Sequence, residues 1–322
     1  MTAVPGVRGP LPGGTILLAA GAFLLTLAVL LPLHVYERVA LLPAEEQFEI
    51  SLVAEDAGYL DTSTWEWRQA ARVVRTTRVD ATPHGGDWSA WETSVATSTD
   101  EGVLDHWSRR VIVDRRTGRA VNCCGEHVDG DRAVRQAGLV FSWPVGAPEG
   151  DHPFYDAEVR SAPPMEFQGT EEVAGIEVRR YTQTIDATQV PGSARQVPAS
   201  LFTPGAEGTV SAARWLRVVR TYWVEPVSGA VVDIAEERHE TMRPRTEGEE
   251  IDLLHAEFSL AEGQVVVLAE HARVRSFLLA TLRDRAPAVL GPLGALAVLA
   301  GVVRARRSRV PGGAAGREGA PV

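Results

Sequence analysis

The hydrophobic and polar positions change their period along the chain. Residues 15–33 (TILLAAGAFLLTLAVLLPL) and 286–303 (APAVLGPLGALAVLAGVV) are apolar all round and carry no charge. Each approaches the roughly 20 residues that a helix needs to cross a bilayer. Between them the pattern alternates. Phe48, Ile50 and Leu52 share one face, as do Trp91, Thr93 and Val95, then Trp107, Val111 and Val113, and later Leu254, Ala256, Phe258 and Leu260. A period of two with one apolar face predicts strands, and clusters such as Pro83-His84-Gly85-Gly86-Asp87 predict the turns between them. From Glu262 the period lengthens. Val267, Val274, Leu278 and Leu282 recur at helical spacing, with Arg273, Arg275, Arg283 and Arg285 between them. The pattern predicts a mainly β (α+β) protein, with two tandem antiparallel β units outside the membrane and a transmembrane helix at either end.

The tandem arrangement follows from a repeat. Residues 111–124, VIVDRRTGRAVNCC, predict a strand, a tight turn and a return strand, and residues 222–232, YWVEPVSGAVV, say the same again. With Val113 laid on Val224, Asp114 falls on Glu225, Thr117 on Ser228, Gly118 on Gly229 and Val121 on Val232. A shorter echo pairs Val79-Asp80-Ala81-Thr82 with Ile185-Asp186-Ala187-Thr188. Asp114, Thr117, Gly118, Glu225, Ser228 and Gly229 are therefore expected to be repeated hairpin-turn residues, while Cys123 and Cys124 correspond to Ile234 and Ala235 and are private to the first copy. The expected organisation is a cytoplasmic lead (1–14), a first span (15–33), a first β unit (34–145), a Pro/Gly-rich linker (146–164) and a second β unit (165–261). A helical stalk (262–285), a second span (286–303) and a basic tail (304–322) complete it. Residues 262–285 read equally as a stalk or as a helix packed on the second unit, with a bend expected near Pro287 or Pro292.

At 45% hydrophobic and 23% charged residues the chain can bury a real core. A signal peptide is the alternative to a first span, but the run is long for one, and residues 31–36 offer no small-x-small cleavage site. Arg304, Arg306, Arg307 and Arg309 follow the second span. By the positive-inside bias they place both termini in the cytoplasm and the bulk of the chain outside, at the plasma membrane. The net charge of −10 hides an asymmetry: Arg8, Arg317 and these arginines belong to the ends, so the stretch between the spans is more acidic than the total. An acidic middle argues against nucleic acid as a partner.

Little in the chain reads as catalytic chemistry. Cys123 and Cys124 are adjacent; a vicinal disulfide, free thiols and a bridge to another chain are the three readings. A ring between neighbours spans less than the usual Cα separation and is strained. Residues 126–131 (EHVDGD) have the composition of a metal loop without the EF-hand pattern, and a solvated turn is the simpler reading. Glu236-Glu237-Arg238-His239-Glu240 reads as charges alternating across a strand with their ions in water. Trp65, Trp67, Trp88, Trp91 and Trp107 suit a β core better than a ligand surface. There is no zinc motif, nucleophile elbow, Walker loop or dinucleotide fingerprint, so no catalytic, cofactor or metal residue is assigned and an enzyme is not expected.

Leu30-Leu31-Pro32, the run from Asp114 through Gly118 to Cys123-Cys124, Gly138-Leu139-Val140-Phe141, Pro153-Phe154-Tyr155-Asp156 and the segment from Pro164 to Thr170 occur in the order found in the actinobacterial porin PorA family. With Val224-Glu225-Pro226-Val227-Ser228-Gly229 and the helical end, the chain resembles that family over residues 15–303. The resemblance implies a two-span envelope protein. A pore is what the name implies, yet a porin barrel needs many lipid-facing strands, and here the bilayer partners are two helices. A channel would need a homo-oligomer whose anchors assemble, with Gly291, Gly294 and Gly301 allowing close approach. A second, shorter similarity runs from Gly169 to Val178 and on through Ile185-Asp186-Ala187-Thr188, and is to envelope lipoproteins with lipid-binding half-barrels. It implies a curved sheet that takes a lipid or other apolar ligand. The expected function is therefore non-enzymatic binding or passing on of an apolar envelope component, with an oligomeric channel subunit as the alternative.

Overall fold

A computed structural model describes residues 13–245 and 248–307. The expected cytoplasmic lead up to residue 12, with Arg8, and the tail from residue 308, with Arg309 and Arg317, lie outside the described residues. The chain divides into a helical unit, built from its two ends up to Val39 and from Leu278, and a β unit, Ala40–Phe277.

In the helical unit, α1 (Gly13–Leu30) passes through a π-helical turn (Leu31–Val35) into the short α2 (Tyr36–Val39). From the other end, α3 (Glu262–Ala280), most of which belongs to the β unit, passes through a second π turn (Thr281–Arg285) into α4 (Ala286–Arg307). Both helical runs are long and apolar enough to cross a membrane. α1 and α4 pack antiparallel through glycine. A Cβ on Gly21 would lie 2.8 Å from the Gly294 carbonyl oxygen, and one on Gly14 would lie 3.1 Å from that of Gly301. Backbone meets backbone there, as small residues allow between helices in lipid. Gly294 and Gly301 are thus occupied within the chain, whereas Gly291 has nothing near it. The irregularity expected at Pro287 or Pro292 falls at Thr281–Arg285. The Pro287 ring and its missing N–H disturb the preceding turn, and the wider π turn accommodates them.

The β unit is mostly antiparallel sheet. Its strands are β1 (Glu46–Asp61), β2 (Glu66–Pro83), β3 (Trp88–Thr99), β4 (Gly102–Asp114), β5 (Ala120–Val121), β6 (His127–Val128) and β7 (His152–Pro153). β8 (Pro164–Val173), β9 (Ile176–Gln189), β10 (Arg195–Pro198), β11 (Thr209–Val224), β12 (Val231–Pro244) and β13 (Ile251–Leu260) complete the set. The main path runs β5-β4-β3-β2-β1-β13-β12-β11-β9-β8-β7, with β10 beside β11 and β6 beside β4. The strands of both repeat copies thus share one sheet. Its centre is the pairing of the first long strand with the last, β1 with β13, in registers such as Leu52 with Leu260 and Tyr59 with Leu254.

Residues 146–164, which read as a linker, do not run free between two domains. They lie across one face of the sheet with Phe154, Tyr155, Asp156 and Glu158 buried. Pro and Gly bar this segment from a central strand but not from burying its side chains. Trp143, wholly buried, anchors the entry to it and packs on Tyr181, Phe154 and Tyr222 at ring-centroid distances of 5.0, 5.7 and 5.9 Å. Of the five tryptophans expected in the first unit's core, Trp91 is buried, while Trp67 and Trp88 remain exposed.

α3 docks on the sheet through Ala269 and Ala272, against Val178 and Val232, and through Val265 and Leu268. Gln264 accepts the Ser51 N–H at 3.0 Å. The packed stripe is therefore not the expected one: Val267, Val274 and Leu278 are exposed. The docked face instead carries Val265, Leu268, Ala269 and Ala272, spaced three to four residues apart as one side of a helix requires.

Candidate functional site

The repeated turns are built alike. At the first, Asp114 accepts hydrogen bonds from the N–H of Arg116 and Thr117 and from the Thr117 hydroxyl, at 3.0, 2.8 and 3.0 Å. At the second, Glu225 accepts from the N–H of Val227 and Ser228, at 3.1 and 2.7 Å, and from the Ser228 hydroxyl at 2.5 Å. Gly118 and Gly229 both have positive φ, 68° and 72°, and donate to the carbonyls of Asp114 and Glu225. A β-carbon on Gly118 would lie 2.8 Å from the Ser142 oxygen, and one on Gly229 would lie 2.2 Å from the Trp143 oxygen. One stretch of chain thus passes over both turns.

Beyond the turns the copies differ. β12 continues from the second turn, whereas β5 ends after Val121. Past it, Cys123 and Cys124 are joined by a disulfide. The Glu126 carboxylate takes both of their backbone N–H groups, at 2.5 and 2.9 Å. Burial works to raise its pKa, but these N–H donors outweigh that and hold it below the usual carboxylate range. The other acids of this loop are also used within the chain: Asp129 accepts the Ser108 N–H at 2.8 Å, and Asp131 pairs with Arg160 at 2.6 Å. The ring nitrogens of His84, in the β2–β3 turn, and the two cysteine sulfurs form a group whose ligand atoms lie within 4.8 Å of one another. His84 is far from the cysteines in sequence, and only the pairing of β3 with β4 brings the turns together.

The charges of β12 alternate across the strand as expected, with Glu237 exposed, but those of the other face are not in water. Glu236, Arg238 and Glu240 point to the covered face and are buried, Arg238 completely. Residues 146–164 supply the reason, for they roof this face and bring acids of their own. Arg238 donates to Glu158 at 2.6 Å, to Glu236 at 3.2 Å and to Glu240 at 2.5 Å. Glu158 also binds Arg75 at 2.8 Å and Arg214 at 3.0 Å, and Arg220 binds Asp156 at 2.7 Å. Burial alone would raise the pKa of Glu158, but Arg238, Arg75 and Arg214 hold it far below the carboxylate range. Glu236 is lowered in the same way, with Arg220 and Arg75 overcoming its burial.

Two spaces adjoin this network. A cavity of about 80 Å³ is lined by Thr93, Trp107, Arg109, Tyr155 and Arg220, among others. Among the described residues the Thr93 hydroxyl, Trp107 Nε1, Arg109 Nε and the Tyr155 hydroxyl find no hydrogen-bond partner. Burial lowers the Arg109 pKa to about 10, although Asp156 opposes the shift. This space holds only a few water-sized groups. A larger cleft of about 480 Å³ opens at the other end of the sheet from the repeated turns. The β1–β2 and β3–β4 turns and the strands β11, β12 and β13 line it, with Leu60, Leu104 and Leu254 beside Asp61, Glu101, Asp105 and Arg214. Asp61 is held at about 2, chiefly by hydrogen bonds from the Ser63 hydroxyl and N–H.

Two helical runs long and apolar enough to cross a membrane, joined through an antiparallel sheet with a roofed, ion-paired face, define a membrane-embedded protein, and the two ends of the sheet path meet through Leu139, which bridges Arg119 beside β5 and Phe154 beside β7. The chain matches the Porin PorA family over residues 13–303 and belongs to it. A relative described as Porin PorA, from Corynebacterium resistens, is 21% identical over 279 aligned residues, covering 67% of this chain and 68% of the relative. The family relation makes this a porin-like protein of the cell envelope.

Proposed function

We propose that the protein is a non-enzymatic, helix-anchored envelope protein whose β unit lies outside the plasma membrane and holds an amphiphilic envelope component. The cleft of about 480 Å³ carries this reading. It draws its walls from both halves of the sheet, and its lining sets Leu60, Leu104 and Leu254 among polar groups that include the carboxylates of Asp61, Glu101 and Asp105. A short apolar segment can lie against those leucines while a hydroxyl-bearing or cationic head group meets the acids. Within the chain the same acids are held in place, Asp61 by Ser63, Glu101 by Tyr59 and Asp105 by Arg214. Arg304, Arg306 and Arg307 at the end of α4 support a cytoplasmic C-terminus.

The test is mass spectrometry of amphiphiles retained by full-length protein after mild extraction, with Leu253→Trp narrowing the cleft. Retention by the parent and loss in the variant are expected. Equal retention by both proteins would place the ligand elsewhere, and no retention by either would remove the reading.

A second reading, a channel assembled from several copies, rests on the outer face of α3. Val266, Val267 and Val274 are exposed there while the opposite face is docked. The description of the relative as a porin points the same way. Single-channel conductance in planar bilayers from a cross-linked oligomer would favour it over ligand holding.

A further inference from the structure

We propose that Cys123, Cys124 and His84 form a redox-gated site for a soft or borderline metal ion such as Zn²⁺ or Cu⁺, closed while the disulfide stands and opened by its reduction. The three side chains come from two turns and bring their ligand atoms within 4.8 Å of one another. Two thiolates and an imidazole are the donor set that these ions prefer.

Both turns are held by bonds that do not involve sulfur. His84 donates its N–H to the Trp88 carbonyl at 3.1 Å, and Gly85 and Gly86 take the positive φ values, 89° and 57°, that the reversal requires. Asn122 clasps residue 136 from both sides, donating to the Gln136 carbonyl at 2.7 Å and accepting its N–H at 2.9 Å. Glu126 holds the N–H groups of both cysteines. The backbone that presents the sulfurs therefore persists when the S–S bond is cut. These are the only two cysteines in the chain, and they lie at the surface, open to a reductant. The second copy has Ile234 and Ala235 at the matching positions, inside a long strand, so the first copy departs from the shared scaffold where the ligands sit.

The chemistry needs a dithiol reductant from the surroundings. Its thiolate attacks one sulfur, a mixed disulfide forms, and its second thiol resolves that bond. The reductant leaves as a cyclic disulfide, and Cys123 and Cys124 are left as two thiols. The incoming ion displaces the two thiol protons and takes a ring nitrogen of His84 as its third ligand, with water in the fourth position. In the oxidised chain each sulfur is spent on the other, and His84 alone does not hold the ion.

The experiment uses full-length protein in detergent micelles, with zinc followed calorimetrically and Co²⁺ as a spectroscopic probe. Before reduction no stoichiometric binding is expected. After dithiol treatment and anaerobic removal of the reductant, one equivalent is expected to bind with a thiolate-to-cobalt charge-transfer band, and reoxidation should release it. His84→Gln, a surface change that spares the turn's backbone bonds, should weaken binding at least as much as the roughly tenfold seen on loss of an outer-shell partner. Failure of the reduced parent to bind overturns the proposal, a result that needs no variant. Unchanged affinity in His84→Gln overturns it as well, leaving a bare dithiol.

Discussion

The two repeated turns share their hydrogen bonds and their glycine geometry, yet the chain leaves them differently. After Gly229 it continues for the whole of β12 and delivers Glu236, Arg238 and Glu240 to the roofed face. After Gly118 it gives β5, two residues long, and then turns into the cysteine loop and the roof itself. The turn is thus a scaffold device, and the segment leaving it sets the role of each half. One half supplies a buried strand of charges; the other gives up that strand to cover them.

The largest test of this division is Arg238→Ala. Removing the central cation leaves Glu158, Glu236 and Glu240 buried without it, and a loss of about 3–5 kcal/mol is expected from chemical denaturation. Acid reaches the same network. Arginines depress the folded pKa values of Glu158 and Glu236, so their contribution is complete above the unfolded value of about 4.3 and is lost as the pH falls through the folded values. The melting temperature should therefore hold down to about pH 4 and fall below it.

Gly229→Ala should cost more than Gly118→Ala. Both force a side chain into the left-handed region, worth roughly 1–3 kcal/mol. At Gly229 the new Cβ also overlaps the Trp143 oxygen, at 2.2 Å against 2.8 Å for Ser142 at the first turn. Equal melting points would show that the roof yields at both turns. The acceptors sharpen the comparison further. Glu225 is buried and Asp114 is not, so Glu225→Ala should lose about 1–3 kcal/mol and Asp114→Ala about 0.5–1.5 kcal/mol. Smallest of all should be the loss of stability on replacing both cysteines by serine, because a bridge between neighbouring residues closes no chain loop, and melting curves of that variant separate a role in metal binding from one in folding.

The turns and the spans were legible in the sequence because both are local signals: a carboxylate three residues before a hydroxyl with glycine next, and an unbroken apolar run. The single sheet was not, since nothing near Leu52 announces Leu260 as its partner. The ion network was misread for a related reason. Glu236, Arg238 and Glu240 share one strand face and Glu237 and His239 the other, and charge on both faces reads as solvent on both. A cover over one face was the missing element, and it came from a segment whose prolines and glycines signal a linker. Phe154-Tyr155 between two acidic stretches was the available hint. On α3, helical spacing picked Val267, Val274 and Leu278, but another stripe of the same helix, Val265, Leu268, Ala269 and Ala272, meets the sheet, and spacing alone does not say which stripe docks.

The pairing of β1 with β13 also has a consequence in time. During synthesis β1 emerges early and finds β2 at once, but its other edge has no partner until Ile251–Leu260 has been made. Through most of translation the nascent chain carries an open strand edge, the kind that recruits other chains. A protein cut short before Ile251 would keep that edge for good, so the last strand of the sheet also decides whether an unfinished copy stays clear of other chains.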